Sequence, residues 1–199
     1  LDKGIADLKK AQSQLVVFRQ AVLKKAFEGE LTKEWRNNAD FDASWSIFSF
    51  DEITKSLKRG PFGGDLKKAF FVESGYAVYE QQHAINDNFI DIRYFIDRER
   101  YDKLKACNVG PGDYIVSCSG TMGKIARVPA DSPSGVINQA LLRIRINEEI
   151  LNHEYFLEFF RSAIFQRKIL KDSRGSGMQN IAGIKEIKPI KINVPSLKE

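Results

Sequence analysis

The chain has 199 residues, 43% of them hydrophobic and fourteen of them Phe, which is enough for one medium domain plus an appendage and excludes wholesale disorder. No apolar run approaches bilayer length, the first residues carry no signal-peptide core, and Cys107 and Cys118 are too few for a disulfide scaffold, so a reduced cytoplasmic setting without membrane is expected. The net charge of +5 is concentrated: residues 161–199 carry nine Lys/Arg against three Asp/Glu, around Arg161, Arg167, Lys168, Lys171 and Arg174, a stripe that suits either a phosphate backbone or a solvated helix face.

In chain order, residues 1–36 are rich in Ala, Leu, Lys, Gln and Glu and predict a long helix. One apolar stripe runs through Ile5, Leu8, Leu15 and Val22 with Phe18 beside it, close to a heptad seam, and a second runs through Val16, Leu23 and Phe27. A helix apolar on two sides must bury both, one against a partner helix and one against its own domain. Gly29 is expected to cap or interrupt it near Phe27, with Leu31 to Arg36 a short continuation and residues 37–40 a linker. This gives residues 1–36 as a spacer or dimerisation helix and residues 37–199 as a globular domain.

From Trp45 onward short elements alternate with turns. Strands are expected at Trp45 to Ile53, Tyr76 to Tyr79, Phe89 to Phe95, Tyr114 to Ser117, Lys124 to Val128, Val136 to Ile146 and Ile190 to Val194. Lys58 to Gly64 and Ser119 to Gly123 read as Gly-rich loops, and Gly110-Pro111-Gly112-Asp113 as a tight turn. Helices are expected at Arg98 to Ala106, Ile150 to Leu170 and, for one turn, near Ile184. The mixture predicts an α+β fold, a globular mixed-sheet domain with a long N-terminal coiled-coil-type helix.

Several segments together carry a resemblance. Phe18 to Thr32, ending in Trp35-Arg36, is followed by Pro111 to Ser117, Ser119 to Ile125, Ile137 to Leu141, Gly175 to Ile181 and Ile192 to Glu199. In this order and spacing, across nearly the whole chain, they resemble the central spacer helix and second target-recognition domain of type I restriction-modification specificity subunits. The resemblance implies sequence-specific recognition of one part of a split double-stranded DNA target by a non-catalytic subunit. It implies methyltransferase subunits as partners, restriction subunits joining through the assembled complex, and a second specificity half or a homodimer through the long helix. It implies no cofactor in this chain, the methyltransferase partner being the one that uses S-adenosylmethionine. Against a full subunit the sequence lacks a first recognition domain and a closing helix, and so resembles a fragment, a truncated product or a half-subunit that pairs.

A DNA reader needs base-edge donors and acceptors on loops, with cations for the phosphates. Candidates are Lys58 and Arg59 with Lys67 and Lys68; Gln82, Asn86 and Arg93; Ser119, Thr121 and Lys124; and Arg174, Ser176, Gln179 and Asn180. Each group also has a bland reading as a solvated loop or turn, and Gly120 and Gly123 also suit a tight turn. Ile5, Leu8, Leu15, Phe18 and Val22 are the candidates for helix–helix packing. His83 and His153 have no Cys or carboxylate at ligand spacing, so no metal is expected. A methyltransferase would need a Gly-rich cofactor loop and an Asn/Asp-Pro-Pro-aromatic motif, yet no two of the six prolines are adjacent. Asp65 with Lys67, or Asp87 with Asp91, is too sparse for a metal nuclease. The remaining alternative is an assembly or dimerisation module without independent DNA reading.

Overall fold

The structure is a computed structural model and describes residues 2–62, 64–170 and 180–198. Helix α1 (Asp2–Phe27) has 26 residues and is about 39 Å long at ~1.5 Å per residue. Almost all of it stands in solvent, and only its C-terminal end meets the domain. Leu23 packs on the core, and the buried Phe27 ring meets Tyr155 and Phe159 edge-on, with centroids 5.5 and 5.4 Å away. Val16, expected on the domain-facing stripe with Leu23 and Phe27, is instead 55% exposed, because the helix has left the domain surface two turns earlier. Gly29 ends the helix at φ +74°, and α2 (Lys33–Asn37) follows as a separate turn. Arg36 ties this segment down by donating to the Gly29 carbonyl at 2.6 Å while lying over the Trp45 ring.

Strands β1 (Ser46–Ser49) and β2 (Thr54–Arg59) lead to a 3-10 turn at Lys68–Phe70, then β3 (Phe71–Val72), β4 (Tyr76–Tyr79), α3 (Gln81–Asn86), β5 (Phe95–Ile96) and α4 (Arg98–Lys103). After a 3-10 turn at Lys105–Cys107 come β6 (Asn108–Val109), β7 (Tyr114–Ser117), β8 (Ile125–Arg127), β9 (Gly135–Ile137) and β10 (Leu141–Ile146). The chain ends with α5 (His153–Arg161), α6 (Ala163–Ile169), α7 (Ile184–Ile187) and β11 (Lys191–Val194).

Two larger sheets pack face to face. An antiparallel four-stranded sheet has the order β2-β10-β7-β8, and a five-stranded sheet has the order β3-β5-β4-β9-β6 with β4 and β9 parallel. On one side of the four-stranded sheet Tyr114, Val116, Ile125, Leu142 and Ile144 meet Phe156, Phe160 and Phe165 of α5 and α6. On the other side Ile115, Ala126 and Leu141 meet Ala77, Tyr79 and Ile137 of the five-stranded sheet. The outer face of the latter buries Val78, Ile96 and Val136 under Leu66 and Leu104. A small antiparallel pair, β1 with β11, closes the helical side next to α1.

The inter-sheet seam also holds charge. Arg143, 3% exposed, donates to both the carbonyl and the Oδ1 of Asn108 and to Ser56 Oγ, and burial pulls its pKa down. Arg145 beside it pairs with the buried Asp113 at 2.7 Å.

Five local expectations change. Lys58 and Arg59 lie on β2, not in a loop, because the chain breakers begin only at Gly60. Phe89 to Phe95 is a loop except for the last residue, which starts β5. Gln81 to Asn86, whose bland reading is a polar turn, is α3, and the Glu80 N–H at its start donates to His83 Nδ1 at 2.8 Å. Val136 to Ile146 divides into β9 and β10 in different sheets: Asn138 Oδ1 accepts from the Ala140 N–H and turns the chain between them. The helix expected over Ile150 to Leu170 divides at Ser162, whose ψ of 145° stops α5 and whose Oγ accepts from Phe165 N–H to start α6.

Candidate nucleic-acid interface

The topology collects several connections at one end of the sandwich. Arg59 ends β2, Tyr79 ends β4, Ser117 ends β7 and Ile137 ends β9, while β8 and β10 begin there. The links that leave these strands touch one another. Gly60 N–H donates to the Leu141 carbonyl, Asn138 N–H to the Tyr79 carbonyl, and Cys118 N–H to the Ala140 carbonyl, each at 2.9 Å. Ser119 N–H donates to Gln81 Oε1 at 3.2 Å, which fastens the 118–124 loop to the start of α3. Asn180 forms a bridge with Ser119, and Ile181 N–H donates to the Cys118 carbonyl at 3.1 Å.

Gly120 and Gly123 hold the 118–124 loop in left-handed conformations that a side chain would strain, at φ +62° and +74°. Ser117 Oγ braces the loop from below by donating to the Thr121 carbonyl at 2.6 Å, and it accepts from Lys124 N–H at 3.1 Å. Thr121 and Lys124 are left exposed. Beneath the loop, Cys118 is fully buried in the core, and burial pushes its thiol up to about 12 against the opposing pull of the Arg59 charge.

A groove beside this loop runs between α3 and the α5–α6 pair, lined by Ile85, Asp87, Met122, Lys124, Arg161 and Gln166. Arg161 donates to the Ile125 carbonyl at 3.3 Å and lies 3.7 Å from Asp87. Leu170 lines the same groove and bridges Ile181, so the chain on both sides of residues 171–179 stands against the interface. Arg174, Ser176 and Gln179, expected to contact DNA, lie outside the described residues.

The structure therefore brings Arg59, Ser119, Thr121, Lys124 and Asn180 to one end, and Gln82 and Asn86 lie on α3, which is fastened beside it through Gln81. Arg93 joins them on the far side of α3, where its guanidinium grips Glu80 through two hydrogen bonds of 3.0 Å. Lys58 is set apart: it stands directly across from Arg143 on β10 and shares its inter-sheet face. Lys67 and Lys68 are set apart too. They precede Phe71, which pairs with Ile96 beside Tyr76 at the opposite end of β4, and Phe70 next to them lies under the Arg100 guanidinium. Sequence reasoning missed Gln81 as the residue that fastens the loop; Arg161, read there as part of a basic stripe, lines the groove. The amide pair Gln81-Gln82 was visible, but its partner is 38 residues away.

Ile5, Leu8, Leu15, Phe18 and Val22 are all exposed on α1, far from this end of the domain. Among the described residues, no three or more His, Cys, Asp or Glu side chains are placed to hold a metal ion, and no helix is long and apolar enough to cross a membrane.

A family model for the type I restriction modification DNA specificity domain matches residues 44–199. Among solved structures, a chain from a type I R-M system, studied for complex assembly and conformational transition, superposes with a TM-score of 0.58 at 14% identity. That match covers 98% of this chain and 47% of the other. The HsdS subunit from Thermoanaerobacter tengcongensis superposes with a TM-score of 0.55 at 14% identity, over 96% of this chain and 45% of its own. The chain thus spans about half the length of these structures, and at that identity the likeness is one of fold. No curated protein matches the chain.

Proposed function

The chain belongs to the type I restriction modification DNA specificity domain family, and from that membership we propose that residues 37–199 read one part of a split double-stranded DNA target while residues 1–36 supply, in α1, the spacer and pairing helix. The reading takes the chain as the central helix and second recognition domain of a specificity subunit, or as a half-subunit that pairs. It makes the chain a non-catalytic guide, in the cytoplasm, for methyltransferase subunits and, through them, restriction subunits.

The observation that carries this reading is the convergence of four connections and Asn180 at one end of the sandwich. A base reader needs amides, hydroxyls and cations fixed at a common surface, and Gln82, Asn86, Ser119, Thr121, Lys124, Arg59 and Asn180 meet that need. Anchoring on strand ends holds such groups more tightly than a free loop would. Arg174, Ser176 and Gln179, which lie outside the described residues, stay proposed DNA contacts on their chemistry alone. Lys58, Lys67 and Lys68 become flanking cations, with any contact to phosphates made outside the base-reading surface.

The α1 seam of Ile5, Leu8, Leu15, Phe18 and Val22 supports a helical partner, since burying each large apolar side chain stabilises association by about 1.5–3 kcal/mol.

The test is to co-express the chain with its methyltransferase subunit, map the methylated positions, and titrate the purified assembly against the mapped duplex and a scrambled one. Preference for the mapped duplex is expected, with affinity falling steeply as salt rises. Equal binding to both duplexes would sink the proposal.

A further inference from the structure

Most large apolar side chains of the domain are covered, but Phe62 is 88% exposed. It does not belong to a loose tail. Gly60 N–H is bonded to the Leu141 carbonyl and Pro61 is buried, so the chain is clamped immediately before Phe62. Asp65 N–H donates back to the Phe62 carbonyl at 2.8 Å, and Leu66 is buried in the outer core, so the chain is clamped after it as well. The ring is therefore presented on an anchored turn, and holding it in water without a partner forgoes the burial that an aromatic side chain normally gains.

The position of that turn points to the partner. Gly60 sits against the Asn138 carbonyl at the end of β9, among the connections of the proposed DNA-reading surface. Cations stand at the same end of the sandwich: Arg59, three residues before the ring, ends β2, and Lys124 precedes β8 at the other edge of the sheet. Phosphates would meet those cations. Phe62 has no polar group, and base faces at an opened step or the thymine methyl are the apolar surfaces on a duplex that suit an aromatic ring.

Resting on the DNA-reading proposal, we infer that Phe62 is an apolar DNA-contacting wedge, which packs against a base face or a thymine methyl and positions the cationic loops on the duplex. Gly60 and Pro61 before the ring and Asp65 and Leu66 after it are then the mount for one aromatic side chain.

The assembly of the full chain with its methyltransferase subunits tests this, using the duplex found by methylation mapping. Phe62→Ala is compared with Phe62→Trp and with Ile47→Ala, a control residue 68% exposed on β1 at the helical side. Phe62→Ala is expected to lower affinity about tenfold or more, as loss of an aromatic–base contact does, with the slope of log affinity against log salt unchanged because no cation is removed. Phe62→Trp should restore most of the affinity, and Ile47→Ala should change nothing. Two arms identify the source of the contact. Duplexes with 2-aminopurine at successive positions should brighten at one step with the parent chain and not with Phe62→Ala if a base face is used. Duplexes with uracil in place of one thymine should weaken the parent and not Phe62→Ala if the methyl is used. Unchanged affinity for Phe62→Ala, with both arms silent, would overturn the wedge alone. Failure of the parent chain to prefer the mapped duplex would overturn the DNA-reading proposal beneath it.

Discussion

The Asn138 carbonyl oxygen occupies the space that a side chain at Gly60 would need: a Cβ built there would lie 1.8 Å from it. The contact joins the end of the four-stranded sheet to the end of the five-stranded sheet, at the place where the connections converge. Backbone on backbone cannot give way as a flexible side chain can. Gly60→Ala should therefore destabilise the domain by about 1–3 kcal/mol, the usual cost of overpacking a closed site. Gly64→Ala has nothing within 4 Å of its Cβ and should leave stability near that of the parent. Urea unfolding of the two variants decides the matter, and equal midpoints would sink the argument.

Lys124 makes a second, electrostatic prediction. Its backbone N–H is held by Ser117 Oγ, while its side chain is exposed and, among the described residues, forms no ion pair. Lys124→Gln should then keep the fold and lose one phosphate contact. Salt titration of DNA affinity should show the slope shallower by about 0.9, the value for one phosphate on a duplex. The affinity loss should be similar on the mapped and scrambled duplexes, because a phosphate contact carries no sequence information. An unchanged slope would remove Lys124 from the interface.

Much of the fold was legible where local chemistry decides it. Gly110 to Asp113 makes the turn its residues demand, with Asp113 N–H on the Gly110 carbonyl and Gly112 at φ +83°. The long helix ends where Gly29 ends it. What was not legible depends on contacts distant in sequence. Val136 to Ile146 alternates as one strand would, and only the pairing of β9 with β4 and of β10 with β2 and β7 reveals two. Lys67 and Lys68 sit only eight and nine residues beyond Arg59, yet the turn at Leu66 carries them around the five-stranded sheet to its other face. Charge and spacing along the chain cannot register such a crossing. The grouping of Ser119 with Gln81 and Asn180 is of the same kind, since each partner comes from a different segment.

Buried phenols give a pH prediction. Burial pushes both Tyr79 and Tyr114 up to about 12, Tyr79 donating to the Pro133 carbonyl and Tyr114 to the His153 carbonyl. A raised pKa on an acid means that the fold favours the neutral form. That stability is complete below the unfolded value, about 10 for tyrosine, and is lost as pH rises through the folded value near 12. Unfolding should thus begin between these two values, and tyrosinate absorbance from these two rings should appear together with loss of far-ultraviolet ellipticity. Ionisation of both rings at ordinary tyrosine values with ellipticity intact would refute it.

The long helix separates two roles along its length. Phe27 is buried against Tyr155 and Phe159, whereas Phe18, nine residues earlier and 67% exposed, touches none of the domain core. Phe27→Ala should therefore cost about 3–5 kcal/mol of domain stability, as for other buried Phe truncations, and loosen the helix from the domain. Phe18→Lys should leave the melting of the dilute monomer unchanged and act only on association. If the seam through Leu8, Leu15, Phe18 and Val22 pairs with a second copy, sedimentation of the parent chain should show concentration-dependent dimers. The Phe18→Lys dimer should then be at least tenfold weaker, because a charge would be carried into an apolar seam. Dimers of undiminished strength in Phe18→Lys would show that the pairing surface lies elsewhere on the chain.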